Sequence, residues 1–276
     1  MSFNDRKNKK IRYIIYYLAW GVILVFVVSQ AYGALFSNDE SVELNDTQNY
    51  KKYTPQEEND IPSTDTGTED RIEEDDDYFR DHTKQVVYNV PFTAQAPLGD
   101  WSDPRQQDGC EEAAALMAVS WARGEDFTLA EARDEIIKIA EYTKNKYGAY
   151  RDTSARDAFN WIYKDYFGYT NVRLNYNITT EDIKRELYAG NLVVVPANGR
   201  ILDNPHFTPP GPERHMFVIT GFDPKTGEFI TNDNGTRYGE DFRYTEANIS
   251  AALQDYPTGY HEPILNKITS MIVISK

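Results

Sequence analysis

One cysteine, Cys110, occurs in 276 residues, so a disulfide scaffold is excluded and packing alone must hold the fold. Histidine is nearly as scarce. His82, His206, His215 and His261 are the only four, and none stands in His-Glu-x-x-His or a comparable ligand spacing. Metal-dependent hydrolysis is thereby disfavoured, and no cofactor is expected. The formal net charge is −15, with no basic cluster after residue 12, so nucleic acid is not an expected partner. No internal repeat interrupts the chain.

A run of basic residues stands at the start: Arg6, Lys7, Lys9, Lys10 and Arg12. Tyr13 to Phe36 follows without a charge, Ser29 and Gln30 being its only polar residues apart from the tyrosines. About 20 apolar residues cross a bilayer as a helix, and Tyr13, Tyr16, Tyr17 and Trp20 suit the interface at the cationic end. Residues 13–36 therefore predict a transmembrane helix, with residues 1–12 cytoplasmic and everything after Phe36 extracytoplasmic. Ala31-Tyr32-Gly33 offers small residues for signal cleavage and hence secretion, but the apolar run exceeds a secretory core of about 7 to 15 residues, which favours an uncleaved anchor.

Residues 37–85 read as an acidic linker. Between Asn38 and Asp81, 16 acidic residues face 4 basic ones, and aliphatics are few. Such a composition buries too little apolar surface to offset chain entropy, so disorder is expected. Residues 86–276 remain for one globular domain, long enough to enclose a core.

Within that domain Val86 to Phe92 reads as a strand ending at Pro91, followed by Gln95 and a loop, residues 96–109, carrying Trp101, Gln106 and Gln107. Glu111 to Arg123 has the apolar spacing of a helix opened by Gly109-Cys110. A thiol at a helix N-terminus is expected to ionise readily. Thr128 and Glu131 form a capping-box pattern for a helix over residues 129–146; Ser154 leads a third over residues 155–166, and Thr180 opens a fourth, Glu181 to Ala189. Leu192 to Pro196 is a buried-strand run, and Asn198 to Arg214 a long connection suited to a cleft wall. Arg214 to Phe222 predicts a strand with His215 at its start, which Asp223 to Gly227 turns back along Glu228 to Thr231. That hairpin returns Asp233 toward His215. Tyr244 to Tyr256 predicts a last helix and Ile268 to Ile274 a last strand.

A thiol nucleophile needs a base, the base an orienting group, and the developing oxyanion a donor. Cys110, His215, Asp233 and Gln95 can fill those roles, with Gln106 and Gln107 competing for the last and Asn232 or Asn234 for the third.

The motifs Val90-Pro91-Phe92-Thr93-Ala94-Gln95, Gly109-Cys110 before an alanine-rich helix with Met117, His215-Met216-Phe217-Val218-Ile219-Thr220-Gly221-Phe222-Asp223, and Ile230-Thr231-Asn232-Asp233 resemble the bacteriocin-processing (double-glycine) peptidase-like cysteine peptidases of the papain-like superfamily. The resemblance covers residues 86–276. It implies an α+β papain-like fold, a helical part bearing the nucleophile and an antiparallel sheet bearing histidine. It assigns Cys110 as nucleophile, His215 as general base and acid, Asp233 as orienting residue and Gln95 as oxyanion donor. Where that family often has Gly-Pro after its cysteine, this chain has Glu111-Glu112, whose carboxylates oppose thiol ionisation. The reading is a membrane-anchored thiol peptidase or amidase acting on a peptide or cell-envelope substrate. The alternative is a catalytically idle domain of the same fold that binds peptides or envelope polymer.

Overall fold

The computed structural model describes residues 83–276; the basic segment, the apolar span and nearly all of the acidic stretch lie outside the described residues. Among the described residues no helix is long and apolar enough to cross a membrane.

The described chain opens with β1 (Val86–Val87) and a short helix, α1 (Pro104–Gln107). Next come α2 (Cys110–Arg123), α3 (Leu129–Tyr147) and α4 (Ala155–Asp157), which runs on as a π-helical stretch, Ala158–Tyr166. The second half carries β2 (Val172–Tyr176), α5 (Thr180–Tyr188), β3 (Leu192–Ala197), α6 (Gly199–Leu202), β4 (His215–Asp223), β5 (Glu228–Asn232), β6 (Phe242–Thr245), α7 (Glu246–Ala252) and β7 (Ser270–Ile274). The class is α+β as expected, helices first and an antiparallel sheet after them. The strands form one sheet in the order β2-β7-β3-β4-β5-β6, with β1 paired to β4.

β4 is the axis of this sheet. Its first half pairs with β3, Ala197 opposite His215 and Val193 opposite Ile219, while its second half pairs with β1 at Gly221 and Phe222. β5 covers its other edge, with a register shift between Ile219 and Gly221. Alternation along β3 and β4 separates two apolar layers. Leu192, Val194, Met216 and Val218 pack with Ala114, Met117 and Ala118 of α2. Val193, Val195, Phe217 and Ile219 pack with Ile183 and Leu187 of α5 and Ile249 of α7.

α2 is buried from Cys110 to Trp121, so it cannot be an amphipathic surface helix. Its alanines explain how it fits: Ala113, Ala114, Ala115 and Ala118 have 0% exposure and leave room for close approach of neighbouring elements on every side. Gly124, in the left-handed conformation, ends it by donating to the carbonyls of Ser120 and Trp121.

Several expectations need correction. Only Val86 and Val87 of the predicted Val86–Phe92 strand join a ladder, because the Asn232 side chain, not a neighbouring strand, takes the carbonyl of Val90 at 3.1 Å. The expected loop before Cys110 contains α1, capped by Asp103 and opened by Pro104. The fourth predicted helix is capped one residue earlier, by Thr179 with Asp182 as its reciprocal partner. The predicted helix from Tyr244 to Tyr256 is shorter at both ends: Tyr244 and Thr245 belong to β6, which pairs with β5, and α7 ends by residue 253 because Gln254 and Asp255 donate to the carbonyls of Pro196 and Ile268 instead.

Candidate active site

Cys110 is the first residue of α2. Gly109, its N-cap, lies so close to α1 that a Cβ there would stand 2.6 Å from the Arg105 carbonyl oxygen, so the position before the thiol admits no side chain without rearrangement. Arg151 bonds Asp108 at 3.0 Å and fixes the same corner from outside.

His215 starts β4 and is 1% exposed. Its Nε2 lies 2.8 Å from Asp233 Oδ1, which leaves Nδ1 as the ring nitrogen available to a thiol. The ring stacks on Phe217 at 5.5 Å and meets Phe207 edge-on at 5.4 Å. Asp233 is fully buried. Burial acts to raise its pKa, yet the His215 charge and hydrogen bonds from His215, Tyr244 and Gly235 outweigh it, so the carboxyl is held below the usual range. Asn204 Nδ2 donates to the same carboxylate at 3.2 Å. Tyr244 and Asn204 lie far from Asp233 in sequence, and no local pattern marked them.

The two alternatives for orienting the imidazole act elsewhere. Asn232 Nδ2 holds the Val90 carbonyl. Asn234 Nδ2 donates to the Cys110 carbonyl at 2.8 Å and to the Met216 carbonyl at 3.1 Å, while its own carbonyl accepts from the Gln95 N–H at 2.8 Å. One residue thus joins the first turn of α2 to the start of β4 by its side chain, and to the segment bearing Gln95 by its backbone carbonyl. The sequence had offered Asn234 only as a substitute for Asp233.

Gln95 is buried near the end of α1, its Nε2 donating to the carbonyls of Gln106 at 3.2 Å and Gln107 at 2.5 Å. Both amide hydrogens are engaged, so an oxyanion would have to displace one acceptor. Gln106 is 1% exposed with an unpartnered Oε1, whereas Gln107 and Trp101 face solvent.

The thiol does not behave as its helix position suggested. Burial, then the Glu111 charge and the hydrogen bond to Glu111, push the Cys110 thiol well above its ordinary value; the Met216 N–H opposes them. Desolvation of the charged form outweighs the helix N-terminus here. Sγ donates to Glu111 Oε2 at 3.2 Å, and among the described residues it makes no hydrogen bond to His215. Catalytic hydrogen bonds are often long before substrate binds. Glu111 is itself 1% exposed and accepts from the Tyr256 hydroxyl at 2.8 Å. Among the described residues no group of acids, cysteine and histidine is placed to hold a metal ion.

The model of the Peptidase_C39 like family matches residues 87–258, which takes in Cys110, His215, Asp233 and Gln95. The crystal structure of a "putative C39-like peptidase" from Bacillus anthracis is similar at 16% identity and a TM-score of 0.40, over 70% of this chain and 98% of that one. No curated protein matches the chain. With its family model spanning well over half of its length, the chain belongs to the Peptidase_C39 like family.

Proposed function

We propose that the chain is a membrane-anchored, extracytoplasmic cysteine peptidase or amidase that hydrolyses a peptide bond. The observation that carries this reading is the buried His215–Asp233 pair at the head of β4, tied through Asn234 to the residue that opens α2. Cys110 Sγ would attack the scissile carbonyl as its proton passes to His215 Nδ1. The tetrahedral oxyanion would accept from the Cys110 N–H, one of the donors a helix start leaves without an intrahelical partner, and from Gln95 Nε2 once it releases an α1 carbonyl. The imidazolium would then protonate the departing amine, and a water deprotonated by His215 would hydrolyse the thioester. Asp233 holds the ring by Nε2 throughout and supports its positive charge.

Family membership supports a peptide substrate. The anchor and the orientation rest on the basic residues before the apolar span at residues 13–36. The burial of Cys110 and its hydrogen bond to Glu111 favour the second reading, an idle domain that binds peptide or envelope polymer.

A peptide library incubated with the full chain separates the two. Cleavage that disappears in Cys110→Ala and His215→Ala supports the enzyme. Binding without cleavage, unchanged in both variants, sinks it. Gln95→Ala should lower turnover by about 10² to 10³, the usual cost of one oxyanion donor. A full-rate Gln95→Ala would remove Gln95 from the mechanism.

A further inference from the structure

Among the described residues Glu111 is the one side chain hydrogen-bonded to the sulfur, and nothing in the proposed triad uses it. It is a carboxyl with 1% exposure, lodged between two hydrogen donors: Cys110 Sγ reaches Oε2 and the Tyr256 hydroxyl reaches Oε1. Among the described residues no lysine, arginine or histidine forms an ion pair with it or with Glu112 beside it. A buried carboxyl with no cation beside it is costly in its ionised form, and the proton-bearing form relieves that cost.

We infer that Glu111 is a further catalytic residue, and that the site attacks substrate when the Glu111 carboxyl carries a proton and donates it in a hydrogen bond to the Cys110 sulfur. The inference rests on Cys110 being the nucleophile, as proposed above. With Glu111 ionised, the thiol keeps its hydrogen and points it at the carboxylate, and a thiolate there would face a like charge in contact. Uptake of one proton changes the arrangement. The carboxyl oxygen becomes a donor, the thiol proton passes to His215 Nδ1, and a neutral thiol, neutral imidazole and carboxylate become a thiolate, an imidazolium and a carboxylic acid. One proton enters, no other bond forms or breaks, and Asp233 stays ionised against the imidazolium.

The surroundings favour that proton. Glu112 flanks Glu111 on α2 and Cys110 precedes it; Asp152 faces it from the segment after α3, and Tyr256 from the segment after α7, with Asp255 adjacent. Asp108, at the end of α1, acts on Glu112 and is paired with Arg151, while Arg214 stands 3.8 Å from Asp152. His215 lies across the site on β4. Acids outnumber the partnered cations, and Glu111 is raised to about 7, first by burial, with the Tyr256 hydrogen bond opposing.

The test is alkylation of the full-length protein by iodoacetamide from about pH 4.5 to 9, read by mass at its single cysteine, for wild type, Glu111→Gln, Tyr256→Phe and His215→Ala. Glutamine keeps the shape, accepts from Tyr256 and donates to sulfur, as the protonated acid does. The wild type should react faster as pH falls through about 7, and Glu111→Gln should lose that limb. At about pH 8, one unit above that midpoint, the Glu111→Gln rate should exceed wild type by about tenfold, the factor for one pH unit. Tyr256→Phe removes the hydrogen bond that favours the carboxylate, so its limb should move to higher pH. A Glu111→Gln curve superimposable on wild type, or slower at every pH, overturns the inference; if His215→Ala still slows the reaction, the nucleophile assignment survives. A thiol that reacts only on unfolding in all four proteins overturns both readings. Should Glu111→Gln fail to fold, the Tyr256→Phe limb decides: displaced upward it supports the inference, unmoved it refutes it.

Discussion

Asp233 is the residue whose chemistry depends most on its neighbours. Oδ1 receives His215 Nε2 and the Gly235 N–H at 3.0 Å, and Oδ2 receives Asn204 and the Tyr244 hydroxyl, so all of its acceptor capacity faces donors. Asn in its place would turn an amide group toward two of them, whichever way it flipped. Asp233→Asn should therefore lower turnover by up to about 10⁴-fold, through a misplaced imidazole, and also lower the melting temperature. Tyr244→Phe removes one donor and leaves the carboxylate, so it should cost far less turnover; equal losses would show that Asp233 acts only structurally. Glu112 offers the contrasting case. It is fully buried, and among the described residues neither carboxyl oxygen has a hydrogen-bond partner. Burial and the Glu111 charge hold it well above the usual carboxyl range. A folded pKa above the unfolded value, about 4.3, gives stability that is complete below that value and lost as pH rises toward the folded pKa. Glu112→Met should abolish that loss, stabilising the domain by about 1–4 kcal/mol at neutral pH and much less at pH about 4. Thermal unfolding at both pH values reads this directly, and an equal change at both would contradict a buried ionisable group as the cause.

Among the elements, β4 does most to set the site, because it holds His215 at one end and is clamped by different strands along its length. At Gly221 the chain has no room for a side chain: a Cβ would stand 2.3 Å from the Val86 carbonyl oxygen. Gly221→Ala should break the β1 pairing or shift β4, costing about 1–3 kcal/mol as overpacking does. Amide exchange should locate the loss at Val86 and Val87, and full protection there would show that β1 does not need the close approach. This hairpin was legible in the sequence because every signal in it is local: apolar runs, the Asp223–Gly227 turn, and His215 and Asp233 placed to converge. The Thr128 capping box and the Cys110 helix were legible for the same reason. β2 was not, because Val172-Arg173-Leu174-Asn175-Tyr176 is short, mixed in burial, and defined by its pairing with β7 at the far end of the chain. The π-helical stretch from Ala158 looks like an ordinary helix by periodicity, and Tyr244-Thr245 looks like a helix start until β5 lies beside it. The thiol's environment was the least legible feature. Glu111 and Glu112 were visible as opposing charges, but Tyr256 reaches Glu111 across 145 residues, and burial of both acids is a property of the packed core.

For the whole molecule, charge and hydropathy divide the chain before folding does. Both apolar layers are built between Val86 and Ile274, and the final strand closes the sheet against β2 and β3. A chain beginning at residue 83 removes no residue of either layer, so it should be soluble and melt within about 2–4 °C of the full protein, the shift that roughly 1 kcal/mol produces in a domain of this size. The division also allows a test of orientation. Five basic residues precede an uncharged span, and a net −12 follows between Asn38 and Asp81. Cations are retained on the cytoplasmic side, so the proposed orientation puts the acidic stretch and the domain on the other. Protease added to cells stripped of their outer barriers should then cut in the acidic stretch and release a folded fragment carrying Cys110, while an epitope placed before Arg6 stays protected. A domain that remains cell-bound and intact, with that epitope digested, would reverse the orientation and place the thiol in the cytoplasm. The same fragment, assayed with the peptide library, should retain the activity of the full chain, because every residue assigned to the chemistry lies after Phe92. Loss of activity on release, with the melting temperature unchanged, would show that residues before 83 take part in presenting the substrate.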